Sequence, residues 1–269
     1  MTHGEEIVRV VTASIAATVA ALAACLLGAS GYGQDADAPA KLAAFGKKAS
    51  EVGTIHLFAY FRPEDRLDTD KPRVEEPEVM EVWYDAKNGL MRSERVKERS
   101  ATTVLVNEQG AFVWVTRGLS PKVAGEVRRH ARAGYLPSKD KLSYTPLGLA
   151  AFLLDALNGY SAMLGTCTVQ PDAEKDEMGL ENVTWFALTP DPEKDARLAR
   201  ELRDSRIRLA VDNGSGLAVC LRIESKERRL VLTVPRAETN VTTKDVFVLP
   251  PAVVESAARD AKTGKPAAD

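Results

Sequence analysis

The sequence predicts a mainly β (α+β) protein: one strongly curved antiparallel sheet of about eleven strands, with few helices to cover its concave side. Three observations lead there. From Gly53 onward, strand-sized runs of alternating apolar residues recur at hairpin spacing. Turn signals separate them, notably Lys87-Asn88-Gly89 and Asn107-Glu108-Gln109-Gly110. A single segment, Thr145 to Asn158, breaks the alternation with a helix that is apolar nearly all round. Twist accumulates across so many strands, so the sheet has to bend.

The chain opens on an export-like segment, residues 1–33. Val10 to Gln34 carry no charge and are rich in Ala, Val and Leu, and small residues follow at Gly28 to Gly33. That is the apolar middle and cut-site chemistry of a secretory signal, although Arg9 is offset by Glu5 and Glu6. Three readings stay open: cleavage near Gly31 to Gly33 into the periplasm, lipidation at Cys25 within Leu22-Ala23-Ala24-Cys25, or retention as an uncleaved membrane anchor, since about 20 apolar residues span a bilayer. Soluble export ranks first, because Leu26 and Leu27 stand where a polar linker is usual after a lipidated cysteine.

Residues 34–256 suit one domain. Ala38 to Ser50 reads as an amphipathic helix with Leu42, Phe45 and Ala49 on one side. TIHLFAYF then alternates Ile55, Leu57, Ala59 and Phe61 with His56, Phe58 and Tyr60, apolar on both sides and expected to be covered on both. Arg62 to Pro77 is a charged loop with three prolines. Two hairpins follow, EVMEVWYDA with LMRSERV and TTVLV with AFVWV, then a more polar strand over Lys122 to His130. In the apolar helix, Thr145 caps, Pro146 fits the first turn and Gly159 stops it.

The strands AMLGTCTV, NVTWFAL, RIRLAVD, GLAVCLRIES, RLVLTV and KDVFVL complete the set. Leu217, Val219, Leu221 and Ile223 are expected on one face, with Ala218, Cys220, Arg222 and Glu224 on a wet one, and the neighbouring run sets Ile207, Leu209 and Val211 opposite Arg206, Arg208 and Ala210 in the same way. Asp191 to Asp204 is a charged insertion of helical composition, and 257–269 is expected to be a disordered tail.

Chemistry finds little material here. His3, His56 and His130 are the only histidines, and no nucleophile-elbow, zinc-protease or phosphate-loop motif occurs. The expectation is a protein that is not an enzyme, with no metal and no cofactor. Lys plus Arg, 36, nearly balance Asp plus Glu, 38, which gives no basic track for nucleic acid. Cys167 and Cys220 form a disulfide in one reading and stay two separate thiols in the other.

The order of elements resembles the periplasmic outer-membrane lipoprotein carrier family (LolA-like, related to LolB). EVWYDAKNGLMR is similar to that family's strand, basic turn and strand; TTVLVNEQGAFVWV to its paired strands; TPLGLAAFLL to its Thr-Pro lid helix; ALTP and VFVLPPAVV to its late strand and closing segment. The resemblance implies a half-closed barrel with helices as a lid over an apolar cavity. It implies acylated lipoproteins or other lipids as cargo, and an inner-membrane release complex and an outer-membrane acceptor as partners. Lys87 matches the family's lid-holding basic residue, where Arg is usual; Met91 stands where the family has an aromatic, and Arg92 matches a recurrent Arg. Asn88 and Ser93 depart from the family's Pro and Trp. The expected cavity and lid residues are Leu57, Met80, Lys87, Met91, Arg92, Trp114, Leu149, Phe152 and Leu153. A lipid-anchored acceptor, or an envelope-sensing module of the same fold, is the alternative.

Overall fold

The computed structural model describes residues 37–65, 73–74, 77–117, 123, 127–137, 150–173, 179–243 and 245–262. Residues 1–33, Cys25 and Leu149 lie outside them, as do Thr145 and Pro146.

Helix α1 spans Ala38–Ser50, as its apolar spacing predicts, with Pro39 in its first turn and Lys47 and Lys48 in its last, where the helix dipole favours cations. The strands are β1 (Thr54–Asp65), β2 (Arg73–Val74), β3 (Glu78–Asp85), β4 (Leu90–Lys97), β5 (Ser100–Asn107), β6 (Gly110–Arg117) and β7 (Arg128–His130). After them come α2 (Ala150–Leu154), running into a 3-10 turn over Asp155–Asn158, and α3 (Ser161–Thr166). The second half holds β8 (Cys167–Pro171), β9 (Val183–Pro190), α4 (Ala196–Glu201), β10 (Arg206–Asp212), β11 (Ala218–Glu224), β12 (Arg228–Thr239) and α5 (Pro251–Lys262).

Eleven strands form one antiparallel sheet in the order β7-β6-β5-β4-β3-β1-β12-β11-β10-β9-β8, with the short β2 beside β1. Among the described residues the edge strands β7 and β8 do not pair, so the barrel stays half open. Asn88-Gly89 makes the β3–β4 turn with Gly89 at φ +60, and the Asp85 carboxylate accepts from the Asn88 backbone N–H at 3.0 Å and its side-chain amide at 2.7 Å.

Side-chain alternation gives the sheet two differently covered faces. The inner face carries α1, α2, the 3-10 turn and α3, and with Leu198 and Leu202 from the α4 region it forms one contiguous apolar cluster. On the outer face α5 and the segment before it cover Leu105, Phe112 and Trp114 through Phe247 and Val253.

Several expectations change. The described part of KDVFVL, residues 245–249, makes no strand: residues 245–247 form a turn leading to α5, whose first residue is Pro251. The expected tail is helical as far as Lys262. The first half of AMLGTCTV is α3, because Asp155 caps it by accepting from the Ala162 and Met163 N–H groups at 3.2 and 2.9 Å. The Lys122 to His130 strand reduces, among described residues, to β7 and a bridge from Val123 to Thr116.

Between β10 and β11 the register shifts at Ala210 and Val211, which pair with Cys220 and Ala218 and leave Val219 as the extra residue of β11, so Leu217 and Ala218 both join the inner cluster while Val219 and Cys220 join a separate one with Trp185 and Val231. The face expected to be wet is covered: Arg208 and Arg222 are buried, with Arg208 stacked 4.8 Å above the Trp185 ring and bonded to Asp172. β1 is covered on both faces only at its start, since Tyr60 is 47 % exposed.

Candidate functional site

The cross-strand register puts Leu57 of β1, Met80 of β3 and Met91 of β4 on the inner face. All three are buried in the same cluster as Phe152 and Leu153 of α2 and Met163 of α3. The structure therefore brings together five of the nine expected cavity residues. α2 is buried from Ala151 to Leu154, as its all-round apolarity predicts. In this closed arrangement the residues expected to line an open cavity are packed against one another: Met91, Leu154 and Met163 have no exposed surface.

Trp114 does not belong to this site. It has the opposite parity in β6, shared with Phe112, and packs under the C-terminal segment. Arg92 also faces outward, 3.4 Å from Glu94, beside a recess of about 230 Å³ with Glu81, Trp83 and Val246. Lys87 is exposed at the hairpin tip. Beside it Arg132 donates from one Nη to the carbonyls of Gly89 at 2.9 Å and Asn88 at 3.3 Å. Tyr135 and Leu136 beside it pack on the inner cluster. Cys167 and Cys220 lie on opposite faces and are not joined, and burial pushes the Cys167 thiol up to about 11.

The helical layer is fixed at one end by backbone contact. A Cβ on Gly46 of α1 would lie 2.4 Å from the Gly159 carbonyl, and one on Gly216 would lie 2.3 Å from the Phe45 carbonyl oxygen. Between them the buried Tyr160 hydroxyl donates to the Gly216 carbonyl at 2.7 Å. Asp155 sits in the same junction, 1 % exposed, and burial raises its carboxyl from 3.8 to about 6 despite the two backbone N–H groups it accepts from.

Glu78 is the site residue that residue-type reasoning missed. It shares the parity of Met80, Val82 and Tyr84 and is buried at the far end of the inner face. Burial raises its carboxyl, but the bonds and charges of Arg95 and Lys97 outweigh that and hold it below the usual value. Period-two alternation from Met80 gives its placement; its burial came from neighbours no local pattern reveals. Among the described residues, no group of three or more His, Cys, Asp or Glu is arranged to hold a metal.

No family model matches the chain, and no curated protein does. Among solved structures it is similar to MucB, at 14% identity and TM-score 0.38, over 81% of this chain and 64% of that one. LprF from Mycobacterium bovis is similar at 15% identity and TM-score 0.39, over 75% of this chain and 95% of its own. A domain named for outer membrane lipoprotein sorting, from Vibrio parahaemolyticus, is similar at 7% identity and TM-score 0.33, over 76% and 94%.

Proposed function

We propose that this is an exported, non-enzymatic carrier that binds acyl chains of lipoproteins or other lipids between the inner face and α1–α3, and transfers them across the periplasm toward the outer membrane. One observation carries the reading. The sheet and its helical cover meet through an unbroken apolar seam, with Met80, Met91 and Met163 on both sides of it. Such a seam seals on itself when empty and re-forms around hydrocarbon when loaded. Methionine suits that exchange, being unbranched and adaptable. Each methylene taken from water contributes about 0.8 kcal/mol, so a single chain offsets the cost of parting a few side-chain contacts.

On this reading an inner-membrane release complex and an outer-membrane acceptor are the partners, by family resemblance. Mass spectrometry of an organic extract of the purified protein, together with uptake of a fluorescent fatty acid, tests it. Bound acyl lipid and saturable uptake are expected. A lipid-free protein that takes up no probe sinks the proposal.

A further inference from the structure

The inner face changes character along its own strands. In β4, Met91 and Ser93 are buried, whereas Arg95 and Lys97 are exposed. In β5 the same progression runs from Val106 and Val104, both buried, to Thr102, which is exposed. In β6 it runs from buried Ala111 through half-buried Val113 and Val115 to exposed Arg117. The register sets these residues side by side: Arg95 opposite Thr102 and then Val115, Lys97 opposite Ser100 and then Arg117. Three neighbouring strands thus pass in step from a closed apolar end to an open cationic one. Six residues of strand cover about 20 Å, and two strand spacings about 10 Å.

The open end is built. Glu78, on the same face of β3, has a side chain 3 % exposed, yet it is bonded to Arg95 and lies 3.2 Å from the Lys97 ammonium. The Arg95 guanidinium also lies 5.9 Å from the centre of the Phe61 ring. A buried carboxylate costs stability unless paired, so this one is held in place by its two cations and in turn fixes them at the edge of the apolar face. Among the described residues of β3 to β6, Arg95, Lys97 and Arg117 outnumber Glu78 on this face, which leaves that stretch net positive.

We infer that this edge binds the anionic headgroup, a phosphate or carboxylate, of an amphiphile whose chain lies along the apolar part of the same face. The inference rests on the acyl-binding reading and adds the polar half of the ligand. It predicts preference for an anionic lipid over a neutral one of equal chain length.

Isothermal titration of the full chain with lauroyl lysophosphatidylglycerol, laurate and monolauroylglycerol, each below its micelle concentration, tests it. Either anion should bind more tightly than the neutral glyceride, and the preference should shrink with added salt. The stronger anion identifies the source as phosphate or carboxylate. Arg117→Gln should weaken anion binding about threefold to fivefold and leave the neutral ligand unchanged. Glu78→Gln removes the acid that pairs with Arg95 and Lys97 and should strengthen anion binding. Equal binding of all three ligands, with neither variant altering it, overturns the headgroup inference and leaves the acyl site standing. Binding of none overturns the acyl site itself.

Discussion

Gly46→Ala is the sharpest test of how α1 is seated. In an exposed helix this change stabilises by about 1 kcal/mol, because alanine is the better helix former. Here the new methyl would lie 2.4 Å from the Gly159 carbonyl carbon and oxygen and 2.7 Å from its Cα, where 3.4–4 Å is ordinary contact. Both partners are backbone, so α1 has to retreat by about 1 Å, and a gap of that size forfeits a quarter to a half of each dispersion contact. The helix seats Ala38, Leu42 and Ala49, all at most 3 % exposed, and Phe45 edge-on to Phe186 at 6.2 Å. Loosening these and straining the turn costs about 2–5 kcal/mol, against which the propensity gain of about 1 is small. A net loss of about 3 kcal/mol lowers the urea midpoint by at least about 1 M. Gly165→Ala, in α3 with nothing within 4 Å of the added Cβ, is the control and should be neutral or stabilising. A Gly46→Ala protein as stable as the parent, or one no worse than Gly165→Ala, refutes the close approach.

Asp155 makes stability depend on pH with a definite sign. Its folded value lies above the unfolded one, so the folded protein holds that proton more tightly; the stabilisation is complete below pH 3.8, lost as pH rises past about 6, and worth about 3 kcal/mol over the whole window. Asp155→Asn should therefore gain stability relative to the parent as pH rises from 4 to 7, read by urea midpoints at each pH, and a constant difference would contradict the assignment. Tyr160→Phe leaves the Gly216 carbonyl without its 2.7 Å donor in a buried site and should cost about 1–3 kcal/mol by the same assay. Arg132→Ala removes both carbonyl contacts to the β3–β4 turn and should speed fatty-acid probe uptake, whereas Lys87→Ala, at an exposed position, should leave it unchanged. The reverse ranking would place the holding role on Lys87.

Local chemistry carried much of the fold into the sequence, and long-range covering carried the rest out of reach. α1 and the two hairpins were legible because their signals are short-range: Leu42, Phe45 and Ala49 at helical spacing, and a glycine needing positive φ at position 89. Eleven of the runs read from alternation lie in the sheet, whereas KDVFVL, read the same way, does not, and the two-residue β2 offered no alternation to read. α5 was not, because VFVLPP is strand-like in composition, and its helical fate depends on burying Phe247 and Val253 on the outer face beside Phe112 and Trp114. That same packing explains Trp114: apolarity marked it as buried, but parity decides the face, and in β6 it is Val113 that packs on the inner side. Arg208 and Arg222 misled for the opposite reason. Alternation gave their face correctly, while the burial of Arg208 depends on Asp172 and Trp185, remote in sequence.

The distribution of tight and loose packing bears on how a carrier of this shape would work. Where Gly46 meets Gly159 and Gly216 meets Phe45, backbone touches backbone and leaves no side chains to slide. Such a contact is lost as a unit or not at all. At the β4–β5 end the inner face is met by exposed Thr102 and by Arg95 and Lys97 at about half exposure. A ligand entering from that end displaces solvent and a few flexible side chains. One entering at the glycine junction would have to separate α1 from the turn after α2. On the carrier reading, then, hydrocarbon advances from the cationic edge toward Met80 and Met91, and α1 stays in place as the wall it meets. Photo-crosslinking from a probe with its reactive group at the methyl end would label residues near Met91 and the facing side of α1, and labelling confined to Arg95, Lys97 and Arg117 would show that entry runs the other way.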